Sequence, residues 1–137
     1  MGAYKKGRQL RLPGEIDLRE LECKGTGCCT LTYIDDSFLE KLNALSGLLG
    51  EVSVLKGYEC EKKAERKDSM HCLGKAADIT VMNRGRPVKS EDICRAAEKI
   101  GFSGIIRKDE YTVHLDTRLT TCFYFDKPLN MFTRGWT

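Results

Sequence analysis

The stretch "SMHCLGKAADI", residues 69–79, carries the most structural information in this sequence. It contains His71, one of only two histidines in 137 residues, and places Asp78 seven positions later among small and apolar side chains. Neither a helix nor a strand automatically brings residues seven apart together. Gly74 lies between them and permits a turn that would aim both side chains at one point. Spacing alone therefore predicts either a metal site or a buried aspartate that accepts backbone hydrogen bonds.

The second histidine lies in "TVHLDTR", residues 112–118, a stretch typical of a strand. Side chains two apart on a strand share a face, so we expect His114, Asp116 and Arg118 to line up. The apolar residues between them would face the core, which leaves the polar row facing a site. Two imidazoles and one carboxylate are a suitable ligand set for zinc. Such a metal lowers the pKa of its bound water to about 7.

The length and the hydrophobic periodicity predict one α+β domain over residues 1–137, with 1–15 as a flexible or extended N-terminal segment. The clearest helix covers residues 33–50, with Asp35 or Asp36 as its N-cap.

The remaining elements follow from helical and alternating patterns later in the chain. A second helix is expected over residues 89–101, capped by Ser90. We expect a mainly antiparallel sheet with the helices packed on one side, formed from strands near residues 51–58, 75–81, 101–107, 111–117 and 121–125.

Composition excludes several classes of protein. The net charge is +3, from 23 basic and 20 acidic residues, so the surface is mixed and we expect no nucleic-acid partner. No apolar run approaches the roughly 20 residues of a membrane span, and no apolar stretch follows the basic start as in a secretory signal. We expect a monomer, and the sequence leaves its location undetermined.

The seven cysteines are an odd number, so at least one is unpaired in a monomer. Their spacing lacks the paired C-x-x-C knuckles of a structural zinc site. We therefore expect inert thiols or a disulfide, although "CKGTGCC", residues 23–29, could also bind a metal together with Cys60.

A family resemblance extends this interpretation. "SMHCLGKAADI" resembles the S-x-H-x-x-G-x-A-x-D pattern of the zinc D-alanyl-D-alanine carboxypeptidase family, whose fold is shared by the Hedgehog signalling domain. "HLDTR" resembles the second histidine motif of that family, and the likeness covers roughly residues 16–118. It implies that His71, Asp78 and His114 bind one zinc ion. It also implies a peptidoglycan peptide cleaved near D-alanine as substrate, at the bacterial cell wall, with extracytoplasmic or phage-delivered action.

The sequence departs from the family pattern where an arginine often pairs with the carboxylate of the substrate. The segment that usually reads S-G-Y-R is here "KGYE", so Glu59 replaces the arginine and would repel that carboxylate. We expect Arg118, or else Lys56, to serve as the anchor. Ser69 corresponds to the serine of the family motif and could hydrogen-bond a ligand or substrate, or simply cap a turn.

A second departure concerns the general base. Many family members place an acid three residues before the second histidine, where this chain has Tyr111. We expect Glu110 to act as the base, with Asp109 as an alternative and Asp116 as a group that orients a ligand. Without a productive base the chain would be a zinc-stabilised, non-catalytic domain that binds cell wall or protein. A cysteine peptidase using Cys72 is a weaker alternative, because Cys72 would point away from its neighbouring histidine.

Overall fold

The computed structural model describes residues 2–5, 16–63 and 69–124. Within these ranges the chain forms two α-helices, eight short strands and one 3-10 turn at Leu18–Leu21. In chain order the elements are β1 (Gly2–Lys5), β2 (Leu31–Ile34), α1 (Asp36–Leu49), β3 (Glu51–Lys56), β4 (Ala76–Asn83), β5 (Arg86–Pro87), α2 (Ser90–Ile100), β6 (Gly104–Arg107), β7 (Val113–Asp116) and β8 (Cys122–Tyr124).

The main sheet has the strand order β3-β4-β7-β6-β8, and β5 pairs with β4. All of its pairings are antiparallel except the one between β6 and β8. Strands β1 and β2 form a separate antiparallel pair. The predicted α+β class with a mainly antiparallel sheet is therefore confirmed.

The two faces of the main sheet serve different purposes, because side chains alternate along each strand. One face packs against both helices and forms the core. Its fully buried members include Ala77, Ile79, Val81, Ile105, Val113 and Leu115. The other face carries the alternate residues of the same strands, among them Asp78, His114 and Asp116. Because the apolar residues of these strands pack against the helices, the polar residues between them lie on the opposite face of the sheet.

Helix α1 has one of the two predicted N-caps, Asp35, but it is shorter than the predicted 33–50, because residues 33 and 34 belong to β2. The Asp35 carboxylate accepts a hydrogen bond from the backbone N–H of Phe38 at 2.9 Å, which satisfies one of the free N–H groups of the first turn. Gly50 ends the helix with a φ of 140°, and any side chain there would collide with the carbonyl of Met82 on β4.

The predicted cap of α2 was wrong. Ser90 is the first helical residue, Lys89 is the N-cap, and no side chain caps this end. Ser90 is fully buried, and its hydroxyl instead accepts a hydrogen bond from Arg107 Nε at 2.6 Å. The serine therefore ties the start of the helix to the end of β6. Gly101 ends the helix with a φ of 111°.

Some predictions fall on residues outside the described ranges. Residues 2–5 of the N-terminal segment form β1, and the rest of that segment up to residue 15 lies outside them. The last position of the strand predicted at 121–125 also lies outside them. The single-domain organisation remains a prediction. In the described part of the chain, neither helix has the length and apolar character needed to cross a membrane.

Candidate metal centre

His71, Asp78 and His114 come together on the face of the sheet opposite the helices. Asp78 on β4 and His114 on β7 are direct cross-strand partners, and His71 reaches them from the turn that precedes β4. Asp78 Oδ1 lies 2.9 Å from His114 Nδ1 and 3.5 Å from His71 Nε2. Ligand atoms on a tetrahedral zinc ion are separated by about 3.3 Å, given bonds of about 2.0–2.1 Å. The three donor groups, all within 4.8 Å of one another, therefore have the spacing that zinc requires.

The turn that carries His71 is shaped by Gly74. Gly74 has a φ of +71°, and a side chain there would collide with the carbonyl of Tyr33. The N–H of Gly74 donates to the carbonyl of His71 at 3.2 Å, and the carbonyl of Gly74 accepts from the N–H of Asp35 at 2.9 Å. The glycine thus permits the turn, as the sequence predicted, and also fastens it to the start of α1.

A backbone carbonyl orients the His71 ring. His71 Nδ1 lies 2.8 Å from the carbonyl oxygen of Gly57, so Nδ1 carries the proton and Nε2 presents its lone pair to the centre. Gly57 packs directly against the backbone of Leu21, since a Cβ at Gly57 would lie 2.7 Å from Leu21 Cα. The N–H of Tyr58 donates to the Leu21 carbonyl at 2.8 Å and holds this segment in place. Side-chain motifs gave no sign of this carbonyl, although Gly57 lies in the "KGYE" segment.

Asp116 orients the second histidine. Asp116 Oδ2 lies 2.7 Å from His114 Nε2, which leaves Nδ1 facing Asp78. The Asp116 carboxylate is fully buried and accepts hydrogen bonds from Arg118 Nε at 2.9 and 3.1 Å. Gly104 makes room for it, because a Cβ at Gly104 would overlap the carboxylate. The side-chain row predicted on β7 thus forms a chain from guanidinium to carboxylate to imidazole, the usual support of a metal-binding histidine.

The electrostatics of the centre favour a cation. Burial raises the pKa of Asp78, but its close contacts with the His114 and His71 rings outweigh burial and hold that pKa well below its usual range. Burial likewise raises the pKa of Asp116, and hydrogen bonds from Arg118 and His114 hold it low. Burial lowers the pKa of His114, yet its hydrogen bonds to Asp116 and Asp78 raise it overall. Two ionised carboxylates therefore stabilise positive charge between the rings, as either a proton or a metal ion.

Lys108 is a member of the site that sequence reasoning missed. Its Nζ lies 3.1 Å from Asp78 Oδ2, while Oδ1 of the same carboxylate faces the two histidines. The register of β6 with β7 would have revealed it. Ile106 pairs with His114, so Lys108, two residues further on, lies on the same face as the histidine.

The predicted base lies on the surface. The Glu110 side chain is 61% exposed, and its carboxylate is 3.9 Å from Lys89 Nζ. Its carbonyl accepts from the N–H of Ser90 at 2.8 Å. The alternative acid, Asp109, accepts from the N–H groups of Tyr111 and Thr112 at 2.9 and 2.8 Å, and so caps the hairpin turn.

The three remaining predicted residues have identifiable contacts. Ser69 Oγ accepts from the N–H of Cys72 at 3.3 Å, which is the turn-capping role. Glu59, which stands where the family often has an arginine, lies 3.5 Å from Lys56 Nζ, so a cation neighbours its negative charge. The Arg118 side chain contacts Asp116 and is 28% exposed.

Comparison with known proteins agrees with this geometry. No curated protein and no solved structure matches the chain. A family model described as Peptidase M15 does match, over residues 14–116. The peptidases of that family are zinc-dependent. Because the match covers most of the chain and includes all three residues of the candidate centre, the chain belongs to the peptidase M15 family.

Proposed function

We propose that this protein is a zinc peptidase that hydrolyses peptidoglycan stem peptides near D-alanine, acting as a monomer at the bacterial cell wall. The observation that carries the proposal is the convergence of His71, Asp78 and His114, with a separate hydrogen-bonding partner for each ring. Membership of the peptidase M15 family supports the peptidase chemistry. The wall peptide as substrate follows from the resemblance of the histidine motifs.

Each residue of the centre has a defined task in this reaction. His71, Asp78 and His114 would hold the zinc ion, and zinc in such a site activates water and polarises a carbonyl group. The Gly57 carbonyl and Asp116 keep one lone pair of each imidazole turned inward. The buried Asp116 carboxylate also makes the His114 ring a stronger donor to a metal ion.

Glu110 is the proposed proton acceptor. Its contact with Lys89 joins two side chains that are both about 60% exposed, at 59% and 61%. Such surface pairs contribute roughly 0–1 kcal/mol, so this contact does not hold the carboxylate in one place. Glu110→Gln should therefore lower kcat by roughly 10²–10⁴-fold, the usual contribution of a general base. Glu98→Gln, an exposed change on α2, is the matched control and should leave kcat unchanged.

Arg118 is the proposed anchor for the carboxylate of the substrate. Its bonds to Asp116 employ Nε and Nη2, and a guanidinium has five N–H donors, so donors remain for a second carboxylate. Arg118→Ala should raise the KM for a peptide with a free C-terminal carboxylate. The same peptide with an amidated terminus should show a smaller change. An unchanged KM for the free acid would rule out the anchor.

A second candidate function is a zinc-stabilised domain that binds wall peptides without cleaving them. Two observations favour it: Lys108 contacts Asp78 at 3.1 Å, and Glu110 lies at the surface beside Lys89. The deciding experiment incubates the zinc-loaded protein with purified peptidoglycan and with a D-Ala-D-Ala peptide, with and without a chelator. Hydrolysis that the chelator abolishes supports the peptidase. A zinc-loaded protein that binds these substrates and cleaves none of them would establish the binding domain instead.

A further inference from the structure

Four cysteines form a second cluster outside the histidine centre. Cys23 follows the 3-10 turn, Cys28 and Cys29 lie in the next loop, and Cys60 follows β3. Their sulfur atoms all lie within 4.8 Å of one another. The Cys23 thiol contacts the thiols of both Cys28 and Cys60. The fold thus brings together cysteines as far apart in the sequence as Cys23 and Cys60, which are separated by 37 positions.

The distances within this cluster match a tetrahedral metal site. Cys23 Sγ lies 3.7 Å from Cys28 Sγ and 3.9 Å from Cys60 Sγ. Four sulfurs at about 2.3 Å from a zinc ion would be about 3.8 Å apart along the edges of the tetrahedron. A disulfide needs about 2.05 Å between its sulfurs, so the cluster has the spacing of ligands rather than of bridges.

The loops around the cluster are shaped to deliver the sulfurs. A Cβ at Gly25 would lie 2.5 Å from Cys28 Sγ and 3.6 Å from Cys23 Sγ, so only glycine lets the chain pass there. Gly27 has a φ of +73°, which turns the chain back before the adjacent cysteines. The loop "CKGTGCC" therefore has the shape of a metal-binding loop, although it lacks the C-x-x-C spacing.

The loops around the cluster also carry a tight backbone turn and basic side chains. The N–H of Lys63 donates to the carbonyl of Cys60 at 3.0 Å, which closes the turn that begins at this cysteine. A zinc ion with four thiolates carries two negative charges, which Lys24 and Lys63, exposed on the same loops, would offset.

Apolar packing does not account for this part of the fold. The small buried cluster here consists of Cys23, Tyr58 and Cys60, with Cys28 and Cys29 packed against it, and it is separate from the main core. Thiols are weak hydrogen-bonding groups. Structural zinc sites contribute folding free energy directly, so a metal ion here would add to the cohesion of this small cluster.

We propose that Cys23, Cys28, Cys29 and Cys60 bind a second zinc ion, which has a structural role. The proposal replaces the expected single ion with two and does not depend on peptidase activity. Cys60 lies three residues after Gly57, whose carbonyl orients His71. Cys23 lies two residues after Leu21, against which Gly57 packs. The second ion would therefore fix the loop that positions the first candidate ligand.

The test measures metal in the full-length protein purified under reducing conditions. Zinc content should be two equivalents per chain. Replacement with cobalt(II) should give a thiolate-to-cobalt charge-transfer band, which histidine and aspartate ligands cannot produce. Seven free thiols should be titrated after denaturation with a chelator. These measurements on the unaltered protein remain informative even if the variants fold poorly.

Variants then assign each ion to its site. Cys28→Ser should lose one zinc equivalent and the thiolate band, while His114→Ala should lose the other equivalent and keep the band. Cys122→Ser, a partly buried cysteine outside the cluster, is the matched control and should keep both. The proposal would be overturned by a His114→Ala variant that retains no zinc, by the absence of the thiolate band, by five or fewer free thiols, or by a red iron-containing protein. A single zinc equivalent that gives the thiolate band would instead support the cysteine site and count against zinc at the histidine centre.

Discussion

The histidine centre and the cysteine cluster are built by different means. In the histidine centre, strand register brings Asp78 and His114 together, and hydrogen bonds to Gly57 and Asp116 orient the rings. The cysteine cluster lies in loops, and its four sulfurs would fill every position around a tetrahedral ion. Three protein ligands leave a position for water, whereas four thiolates leave none. The histidine centre therefore leaves room for a reacting water, whereas an ion held by the cysteine cluster would only stabilise the fold.

The largest effect should come from removing a ligand of the histidine centre. His114→Ala deletes one of the three candidate zinc ligands and leaves only His71 and Asp78 to hold the ion, so hydrolysis should fall below detection. The exposed control Lys99→Ala should leave kcat/KM unchanged. Near-normal hydrolysis by His114→Ala would show that the chemistry lies elsewhere in the protein. Zinc at the cysteine cluster should survive the same change.

A smaller effect is expected from the carboxylate that orients the ring. Asp116→Asn keeps the shape of the side chain but removes the charge that faces His114 Nε2 and Arg118. Loss of such a supporting group typically costs about 10–100-fold in metal affinity or activity. Zinc affinity and kcat/KM should fall together by that factor. Asp92→Asn, an exposed change on α2, should change neither.

Prediction from sequence succeeded where the signal was local or periodic. The Asp35 cap, the strand bearing His114 and the buried alternate residues of β4 and β7 follow from alternation and capping chemistry. Ser90 misled because a serine beside two acidic residues is typical of an N-cap, whereas its burial against Arg107 depends on tertiary packing.

The candidate ligands and one supporting group, Asp116, were predictable from the sequence, whereas the other supports were not. The motif resemblance identified His71, Asp78 and His114, which the structure brings together. The Gly57 carbonyl belongs to the backbone, so no side-chain motif indicates it. Lys108 can be assigned to the face of the histidines only when the register of β6 with β7 is known. The spacing of the cysteines favours thiols or a disulfide and leaves a metal site with Cys60 only as an alternative, because loop geometry, rather than spacing, brings these sulfurs together.

Gly104 tests how closely the sheet is fitted to the centre. A Cβ at this position would overlap the Asp116 carboxylate, which is fully buried and has no room to retreat. Gly104→Ala should lower the free energy of unfolding by about 1–3 kcal/mol, the usual cost of overpacking. It should also weaken zinc binding at the histidine centre. Gly47→Ala, where a Cβ meets nothing within 4 Å, is the control and should stabilise α1 slightly.

The metal-free protein should show a defined pH dependence. The pKa of His114 is raised above its ordinary 6.5, so this group contributes stability that is complete below 6.5 and is lost as pH rises through the raised value. The pKa values of Asp78 and Asp116 are lowered from 3.8, so they contribute stability that is present above 3.8 and is lost as pH falls.

Urea unfolding of the chelated protein across this range measures the effect. The free energy of unfolding should be greatest between the two limits and should fall on either side. His114→Gln should lose the decrease on the alkaline side, and added zinc should suppress that decrease by replacing the proton. A chelated protein whose stability rises steadily through neutral pH would contradict the assignment of this proton to His114.

The smallest effect is expected at Lys108, the cation that contacts the histidine centre. Its side chain is 48% exposed, so its ion pair with Asp78 contributes roughly 0–1 kcal/mol. Lys108→Ala removes a positive charge beside a candidate ligand, so zinc affinity at the centre should rise by less than about fivefold, the equivalent of 1 kcal/mol. Competition with a chromophoric chelator measures the change, with Lys99→Ala as the control. A fall in affinity would instead mean that Lys108 holds Asp78 in position. The contact between Lys108 and Asp78 would then support the metal site and would no longer favour a domain that binds without cleaving.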